Sequence, residues 1–245
     1  MEDVLVEAKH LADAGVKECI VIAQDITRYG IDLYGEKKLA VLLRALCKLD
    51  FRWIRLHYLY PDEFTDELID TIAAEEKVLP YLDIPIQHCN DRVLKAMNRR
   101  GDKAELLALF RELRARIPGL VLRTSLITGL PFEDEAAFEE LCEFLQEVRI
   151  ERAGVFPYSP EEGTPAARML NRVDTAEAER RAELVVDVQS RIMDDFNDSR
   201  MGTVAEVLCD GFDQQAADHE VEAGEFVPVR ITGAMDGELT GQLAE

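Results

Sequence analysis

Hydrophobic and polar positions follow two regular patterns along the chain. In residues 3–14 the apolar residues recur every three or four positions, which places them on one face of a helix. Residues 19–23 form a continuous apolar run, which is typical of a buried strand. The same order then repeats four times, with helix 37–48 before strand 53–57, helix 65–75 before strand 79–86, helices 91–98 and 103–116 before strand 120–127, and helix 134–148 before strand 152–157.

Strands separated by helices are typical of parallel βα units with right-handed crossovers. Such units build either a doubly wound sheet or a barrel. Polar residues cluster just beyond the C-terminal ends of the predicted strands, where a barrel of parallel strands forms its site. We therefore favour an α/β barrel. Each single position has a simpler explanation, because any strand end becomes polar where it reaches solvent.

The last part of the chain has a different pattern. Residues 158–173 contain prolines and a glycine and are predicted to form a loop, and a long charged helix with an apolar stripe follows over 174–200. Residues 203–245 alternate apolar and polar positions between glycines, which predicts antiparallel strands, although the stretch 213–224 between the first two looks shortened. We predict one domain over residues 1–200 and a small all-β module over residues 201–245.

The charge balance limits the class of partner. The chain has 49 acidic and 28 basic residues, a formal net charge of −21, and the module 201–245 has ten Asp and Glu residues against the single Arg230. Such a surface repels phosphate backbones and attracts basic proteins. The composition therefore disfavours direct binding to nucleic acid and favours a basic protein partner.

Location and cysteine use are those of an ordinary soluble protein. No apolar run approaches the roughly 20 residues of a membrane helix, and the N-terminus carries charges inside an amphipathic pattern rather than a signal peptide. We expect a cytoplasmic location.

The five cysteines are spread singly, so each is interpreted as an apolar packing residue: Cys19, Cys47, Cys89, Cys142 and Cys209.

Polar side chains near the first two strands are candidates for ligand binding. Gln24 and Asp25 end the first strand and could bind an ammonium group and a hydroxyl group, although Asp25 could equally anchor the following loop. On the second strand Arg55 and His57 share one face. If that face points inward, Arg55 needs an anionic partner, either a ligand carboxylate or, more commonly, an internal Asp or Glu.

Gln87, His88 and Cys89 end the third strand and support two hypotheses, a metal site or a polar rim around an organic cofactor. Zinc could be bound by His57, His88 and Cys89. However, adjacent residues of a strand point to opposite sides, so His88 and Cys89 would not converge, and we favour the rim.

Further along, Gly129 permits either a close backbone approach or a plain turn. The short motifs of dinucleotide-binding, P-loop, zinc-hydrolase and serine-hydrolase enzymes are absent from the sequence.

Five stretches taken together are far more specific than any of them alone. AQDITRYGIDLYG, WIRLHYLYPDEF, YLDIPIQHCNDRVLKAMNRR, LRTSLITGLPFEDEAAF and GVFPYSPEEGTPAA, in this order, resemble the radical S-adenosylmethionine methylthiotransferases. Within them the match is to the RimO-type branch, which modifies an aspartate of ribosomal protein S12, rather than to the MiaB-type branch, which modifies tRNA. The resemblance covers roughly residues 1–215, and the acidic module resembles an abbreviated TRAM domain.

The resemblance implies a partial (β/α)6 barrel that holds S-adenosylmethionine on one 4Fe-4S cluster, with a second 4Fe-4S cluster supplying sulfur. It implies a basic ribosomal protein as substrate and an association with the small ribosomal subunit. Because the cofactors carry the difficult steps, no acid or base catalyst is implied. By position, the resemblance implies that the cofactor is bound by Gln24, Asp25, His57, Gln87, His88, Arg123, Ser125, Gly129, Glu133 and Phe156.

The chain departs from the family pattern in two ways. Phe132 stands where the family usually has glycine, which changes the turn at that point. The family's C-x-x-x-C-x-x-C segment and its N-terminal domain with three further cysteines have no counterpart in this sequence, and the five scattered cysteines do not supply the spacing that a cluster needs. We therefore expect the chain to be the core and tail of a longer enzyme and to be inactive alone, with neither cluster bound.

Three other functions stay open at this point. A tRNA methylthiotransferase would need a basic docking face, and the acidic module argues against it. A metal-dependent barrel lyase or hydrolase would use His57, His88 and Cys89. A non-enzymatic module could dock a basic protein on the acidic surface.

Overall fold

The computed structural model describes residues 1–211 and 221–244, which form two compact units with the division after Gln189. The helices are α1 (Glu2–Asp13), α2 (Ile31–Tyr34), α3 (Leu39–Leu46), α4 (Asp66–Ala74), α5 (Asp91–Ala96), α6 (Lys103–Arg116), α7 (Glu135–Val148) and α8 (Thr175–Arg200). The strands are β1 (Glu18–Ile22), β2 (Trp53–His57), β3 (Val78–Asp83), β4 (Val121–Thr128), β5 (Arg152–Pro157), β6 (Val204–Leu208), β7 (Phe226–Met235) and β8 (Glu238–Leu243).

Strands β1 to β5 form one parallel sheet in chain order. Each crossover therefore returns to the neighbouring strand, as repeated βα units do. The predicted α/β fold with five parallel strands is confirmed, and these are five of the strands of the partial (β/α)6 barrel that the resemblance implies. The short helix α2 was not predicted, because four residues are too few to show a helical period.

One face of the parallel sheet is buried under helices, and the side chains of its other face are partly exposed. On β4, Leu122, Thr124, Leu126 and Thr128 are buried, whereas Arg123, Ser125 and Ile127 between them are partly exposed. This period of two is the geometry of a strand with only one face in the core. We call the less covered side the open face; it carries Glu18, Arg55, His57, Tyr81, Asp83, Arg123, Ser125 and Phe156.

The core lies between the covered face and the helices packed on it. Leu43, Phe110, Leu141 and Phe144 are at most 2% exposed, and the rings of Phe110 on α6 and Phe144 on α7 meet edge to face with their centroids 6.3 Å apart. Burial of these side chains supplies the main driving force for folding of the first unit. The core thereby fixes the strand ends that form the candidate site.

Helix α6 begins at a complete capping box. The Asp102 carboxylate accepts from the Glu105 N–H at 2.9 Å, and the Glu105 carboxylate accepts from the Asp102 N–H at 3.2 Å.

We expect Asp102→Ala to lower the free energy of unfolding by about 1 kcal/mol, because it leaves N–H groups of the first turn without an acceptor. Urea unfolding followed by Trp53 fluorescence measures this, since Trp53 is the single tryptophan. Arg111→Ala on the same helix is the control, with an expected change within about 0.5 kcal/mol; an equal loss in both variants would contradict the role of the cap.

The second unit contains a three-stranded antiparallel sheet in the order β6-β7-β8, which confirms the predicted antiparallel strands. Helix α8 begins in the first unit, and its residues after Gln189 belong to the second. The predicted domain boundary after residue 200 stays a prediction, although α8 ends there. Most of the shortened stretch 213–224 lies outside the described residues.

Within residues 1–211 and 221–244, no helix combines the length and the low charge that crossing a membrane requires.

Candidate functional site

Charged and aromatic side chains form a connected network on the open face. Arg55 Nε donates to Glu18 Oε1 on the neighbouring strand at 2.5 Å, and the Arg55 guanidinium lies 5.0 Å from the centroid of the Tyr81 ring. The anionic partner of Arg55 is therefore an internal Glu, the commoner of the two alternatives expected from the sequence. Arg55 is consequently anchored within the sheet by a charge-assisted hydrogen bond.

Asp83 lies at the centre of this network. Its side chain is 0% exposed, and Oδ2 accepts from Arg123 Nη1 and lies 3.2 Å from His57 Nδ1. A buried carboxylate is tolerated here because a guanidinium pairs with it. Asp83 thus orients two predicted cofactor-binding residues, although it was not among the predicted residues itself. The signal in the sequence was an acidic residue at the end of an apolar strand.

Gln87 and Ser125 are brought together at the ends of β3 and β4. The Gln87 N–H donates to the Ser125 carbonyl at 2.9 Å, and the Ile127 N–H donates to the Gln87 carbonyl at 2.9 Å. The backbone of Gln87 has a φ of 67°, in the left-handed region, so the chain turns sharply after β3 at this residue. The Gln87 backbone is thereby hydrogen-bonded directly beside the Ser125 backbone.

Phe156 lies on the same face, one strand further along. In the sheet register Ser125 is opposite Gly154 and Ile127 is opposite Phe156. A Cβ atom at Gly154 would lie 3.2 Å from the Phe156 ring, so the absence of a side chain there gives the ring its place. The ring is 54% exposed, which is unusual for a phenylalanine in a strand. An exposed aromatic face beside polar groups can stack on a heteroaromatic base.

Gln24 and Asp25 follow β1. Asp25 Oδ1 accepts from the Thr27 N–H at 2.9 Å and from the Thr27 hydroxyl, so it anchors the loop, as the simpler explanation expected. Asp25 Oδ2 is buried and has no hydrogen-bond partner among the described residues. Gln24 is exposed. The N–H of Ala23 donates to the His57 carbonyl at 3.2 Å, which ties this segment to the end of β2.

Three other predicted cofactor-binding residues lie inside the protein instead. His88 is 0% exposed, and its Nδ1 accepts the Asn90 N–H at 2.9 Å, which assigns the ring proton to Nε2. His88 Nε2 lies 3.3 Å from Glu133 Oε2 without the alignment of a hydrogen bond. Glu133 Oε1 accepts from the Gly129 N–H at 2.9 Å and from Arg181 Nη1 at 3.0 Å.

These contacts join the end of β4 to α8. Burial would raise the pKa of the Glu133 carboxyl, but the nearby His88 ring, the Gly129 N–H and the Arg181 guanidinium hold its pKa below its usual value. The structure therefore does not bring His88, Gly129 and Glu133 to the open face with Arg123 and Ser125. Their contact with a cofactor stays a prediction, whereas their packing against α8 is observed.

The residues of the zinc hypothesis do not converge. Cys89 Sγ donates to the Glu140 carbonyl at 3.6 Å, and burial raises the pKa of its thiol, which disfavours the thiolate that a metal requires. His57 faces Asp83 and His88 faces Glu133. In the described ranges, no group of three or more His, Cys, Asp or Glu side chains is arranged to hold a metal ion.

Comparison with known proteins gives close relatives. Residues 1–145 match the family model of the Radical SAM superfamily. The chain is 40% identical to the ribosomal protein uS12 methylthiotransferase RimO of Clostridioides difficile strain 630, over 99% of this chain and 59% of that protein. It is 43% identical to the protein of the same name from Myxococcus xanthus strain DK1622, over 100% of this chain and 56% of that protein. The resemblance inferred from the five stretches is confirmed, and the chain spans less than three fifths of the length of these relatives.

Solved structures with similar folds have much lower sequence identity. Coproporphyrinogen III oxidase HemN from Escherichia coli, a radical SAM enzyme, has a TM-score of 0.60 at 18% identity over 78% of this chain and 46% of that chain. Streptococcus suis SuiB bound to S-adenosylmethionine has a TM-score of 0.53 at 17% identity over 78% of this chain and 40% of that chain. At such identities the likeness establishes the fold alone. The fold and the family match over more than half of the 245 residues agree, and the chain belongs to the Radical SAM superfamily.

Proposed function

We propose that this chain is the cofactor-binding core and C-terminal part of a methylthiotransferase that attaches a methylthio group to the β-carbon of an aspartate in ribosomal protein uS12. The observation that carries the proposal is the 40–43% identity to proteins named for that reaction, over essentially the whole chain. A tRNA substrate is less favoured, because the relatives carry the uS12 name and the net charge of −21 opposes a phosphate backbone.

Family membership implies S-adenosylmethionine and a 4Fe-4S cluster, and we include a second cluster in the proposal. The residues present fit the nucleoside cofactor. Asp25 Oδ2 is a buried acceptor without a partner in the described ranges, and a carboxylate oxygen suits the cofactor's ammonium group. Of the other candidates, Gln24, Gln87 and Ser125 suit the ribose, His57 and Arg123 suit the cofactor's carboxylate, and Phe156 suits the adenine.

The same test fails for the clusters. The cysteines of the described residues are free and scattered, and burial raises the pKa of the thiols of Cys19, Cys47, Cys89 and Cys142. Iron–sulfur clusters need thiolate ligands at close spacing. Neither cluster has a ligand set among the described residues of this chain.

When bound, the cofactors would supply the electron and the reactive fragments that replace a C–H hydrogen by a methylthio group. The residues of this chain bind and orient. Asp83 holds His57 and Arg123 at fixed positions, and the hydrogen bonds of the Gln87 backbone hold the chain beside Ser125. Preorganised side chains cost no reordering when a ligand arrives, which favours both affinity and orientation. No side chain of the chain acts as an acid or base catalyst in this proposal.

The proposed partner is a basic protein, and steering by the acidic surface would accelerate its encounter with this enzyme. We assign this role to the acidic C-terminal residues 201–245, as an abbreviated TRAM-like module. Association with the small ribosomal subunit in the cytoplasm and the absence of direct nucleic-acid binding belong to the same proposal.

The test of the proposed reaction uses the natural protein that contains this chain, reconstituted with iron and sulfide. It is incubated with S-adenosylmethionine, a reductant and uS12, and the tryptic peptides are analysed by mass spectrometry. We expect one aspartate to gain the mass of a methylthio group in place of hydrogen. Cofactor cleavage without this product, or the appearance of methylthio-adenosine in tRNA instead, would contradict the proposal.

Asp25→Asn tests the assignment of the cofactor's ammonium group. Asparagine keeps an oxygen for the Thr27 contacts but removes the negative charge, so we expect the dissociation constant for S-adenosylmethionine to rise about tenfold or more, because a hydrogen bond to a charged group contributes about 1.5–3 kcal/mol. Calorimetric titration of the reconstituted natural protein measures it. Asp32→Asn, at an exposed residue of the short helix α2 that follows the loop, is the matched control. Equal affinity of the Asp25→Asn variant and the unsubstituted protein would remove Asp25 from the site.

A further inference from the structure

A cavity of about 440 Å³ lies at the C-terminal ends of β1, β2 and β3, and its residues are not part of the open face. This volume is within the range of small-ligand pockets. Its lining includes Asp25, Arg28, Tyr60, Glu63, Arg99 and Arg100. Asp25 belongs both to this cavity and to the proposed cofactor site, so a group bound in the cavity lies next to that site.

A buried carboxylate organises the cations of this cavity. Glu63 has a side chain that is 10% exposed, and Arg28 Nη1 at 3.2 Å, Lys37 Nζ at 2.7 Å and Arg100 Nη1 at 3.5 Å all surround it. Lys37 also donates to the Glu63 carbonyl at 2.8 Å, which makes it the principal partner. Glu63 therefore faces three cations, and the lining of the cavity also contains the carboxylates of Asp25 and Asp62.

The two arginines have binding capacity left. Arg28 and Arg100 share the same oxygen of Glu63, at long distances, and each contacts it through Nη1. Their side chains are 47% and 72% exposed. Asp62 lies 3.8 Å from Arg100, which is too long for a hydrogen bond. A guanidinium carries five N–H donors, so most of these donors have no partner within the described part of the chain.

Arg99 forms a fixed wall of the same cavity rather than a third free cation. Its Nη1 donates to the Pro85 carbonyl at 3.1 Å, and its guanidinium lies 5.5 Å from the centroid of the Tyr60 ring. These two contacts hold Arg99 against the end of β3 and leave Arg28 and Arg100 as the pair that can turn toward a ligand.

We propose that this cavity binds the carboxylate of the substrate aspartate, with Arg28 and Arg100 as its two guanidinium partners. The inference rests on the proposed function and adds the residues that recognise the acceptor. Guanidinium groups match carboxylates in geometry and charge. In an aspartate the carboxylate is bonded directly to the β-carbon, so binding the carboxylate also positions the carbon that the reaction modifies. Arg28 and Arg100 are therefore specificity-determining residues, and an asparagine in the acceptor position would be discriminated against.

The experiment measures peptide binding to this 245-residue chain, without any requirement for turnover. Two fluorescein-labelled peptides carry the uS12 segment around the acceptor, one with the aspartate and one with asparagine in its place. Fluorescence anisotropy should show that the aspartate peptide binds at least about tenfold more tightly, the ratio that about 1.4 kcal/mol gives. The double variant Arg28→Gln with Arg100→Gln should lose this preference while binding the asparagine peptide as before. Circular dichroism and Trp53 fluorescence verify that the variant is folded.

The matched control is Arg111→Gln with Arg180→Gln, which removes the same charge from exposed arginines outside the cavity. It should keep the preference for aspartate. Equal binding of the two peptides, an equal loss of preference in the control, or binding of a phosphate-bearing oligonucleotide in place of the aspartate peptide would each overturn the proposal.

This outcome is separable from that of the methylthiolation assay. If uS12 is methylthiolated but Arg28 and Arg100 make no difference to aspartate binding, the pocket assignment fails and the proposed function stands. If the arginines select the aspartate peptide but uS12 is not methylthiolated, the proposed function fails and the cavity remains an aspartate-binding pocket.

Discussion

Replacing Glu133 by alanine is expected to lower the free energy of unfolding of the first unit by about 3–5 kcal/mol, the usual cost of removing one partner from a buried ion pair. Glu133 has a side chain that is 0% exposed, and Arg181, which pairs with it, is 7% exposed. Without the carboxylate, the Arg181 guanidinium and the Gly129 N–H lose an acceptor in the interior. Urea unfolding followed by Trp53 fluorescence measures the change.

The chain offers a matched control for this prediction. Arg181 Nη2 also pairs with Glu135 at 3.0 Å, but the Glu135 side chain is 61% exposed. We expect Glu135→Ala to cost less than about 1 kcal/mol, because solvent screens an exposed pair. Similar losses from the two substitutions would show that burial of Glu133 contributes nothing and would contradict the prediction.

The pH dependence of the same contact has a definite sign. The pKa of Glu133 is lower in the folded protein than in the unfolded chain, where a glutamate has a pKa of about 4.3. The contact therefore stabilises the folded state fully above that pH and is lost as the pH falls through the lower pKa of the folded state. The difference in unfolding free energy between the unsubstituted chain and Glu133→Gln should shrink below about pH 4. A difference that grows on acidification would show the opposite shift.

The second large effect is expected at Gly129, where alanine should destabilise the first unit by about 2–4 kcal/mol. Two costs add. The backbone has a φ of 77°, which disfavours any residue with a Cβ. A Cβ at this position would also lie 2.3 Å from the Cβ of Ala178 on α8 and 3.1 Å from its Cα, and backbone of a helix cannot yield as a flexible side chain can. Chemical denaturation of the variant gives the sum of the two costs.

Two further variants separate these costs. Gly119 has a φ of 70°, and a Cβ added there would meet no described atom within 4 Å, so Gly119→Ala should show the backbone cost alone, about 1 kcal/mol. Adding Ala178→Gly to Gly129→Ala should recover part of the loss, because it removes the colliding methyl group. If Gly129→Ala costs no more than Gly119→Ala, the close approach of α8 is not what requires glycine.

The strands were predictable because their signal is local. Each apolar run of five to eight residues between helical periods became a strand of the parallel sheet, and the alternation of Arg55 and His57 with Ile54 and Leu56 correctly placed the two polar residues on one face. The family match followed from short stretches whose order along the chain is visible in the printed sequence.

The candidate site was only partly predictable. Gln87, Ser125 and Phe156 were named from position, and the sheet register does bring the two strand ends of Gln87 and Ser125 together. Asp83 was missed, because its importance comes from Arg123 and His57, which are 40 and 26 positions away along the chain. Residues far apart in sequence leave no local pattern that records their contact.

His88 and Glu133 show what the sequence pattern could not predict. The chain's own pattern was sufficient for the type and order of its elements, because helix and strand periods depend on neighbours within a few residues. It could not tell whether a polar residue at a strand end points to the open face or into the interior. That direction depends on where α8 packs, since Arg181, 48 positions after Glu133, supplies the charge that makes a buried carboxylate stable.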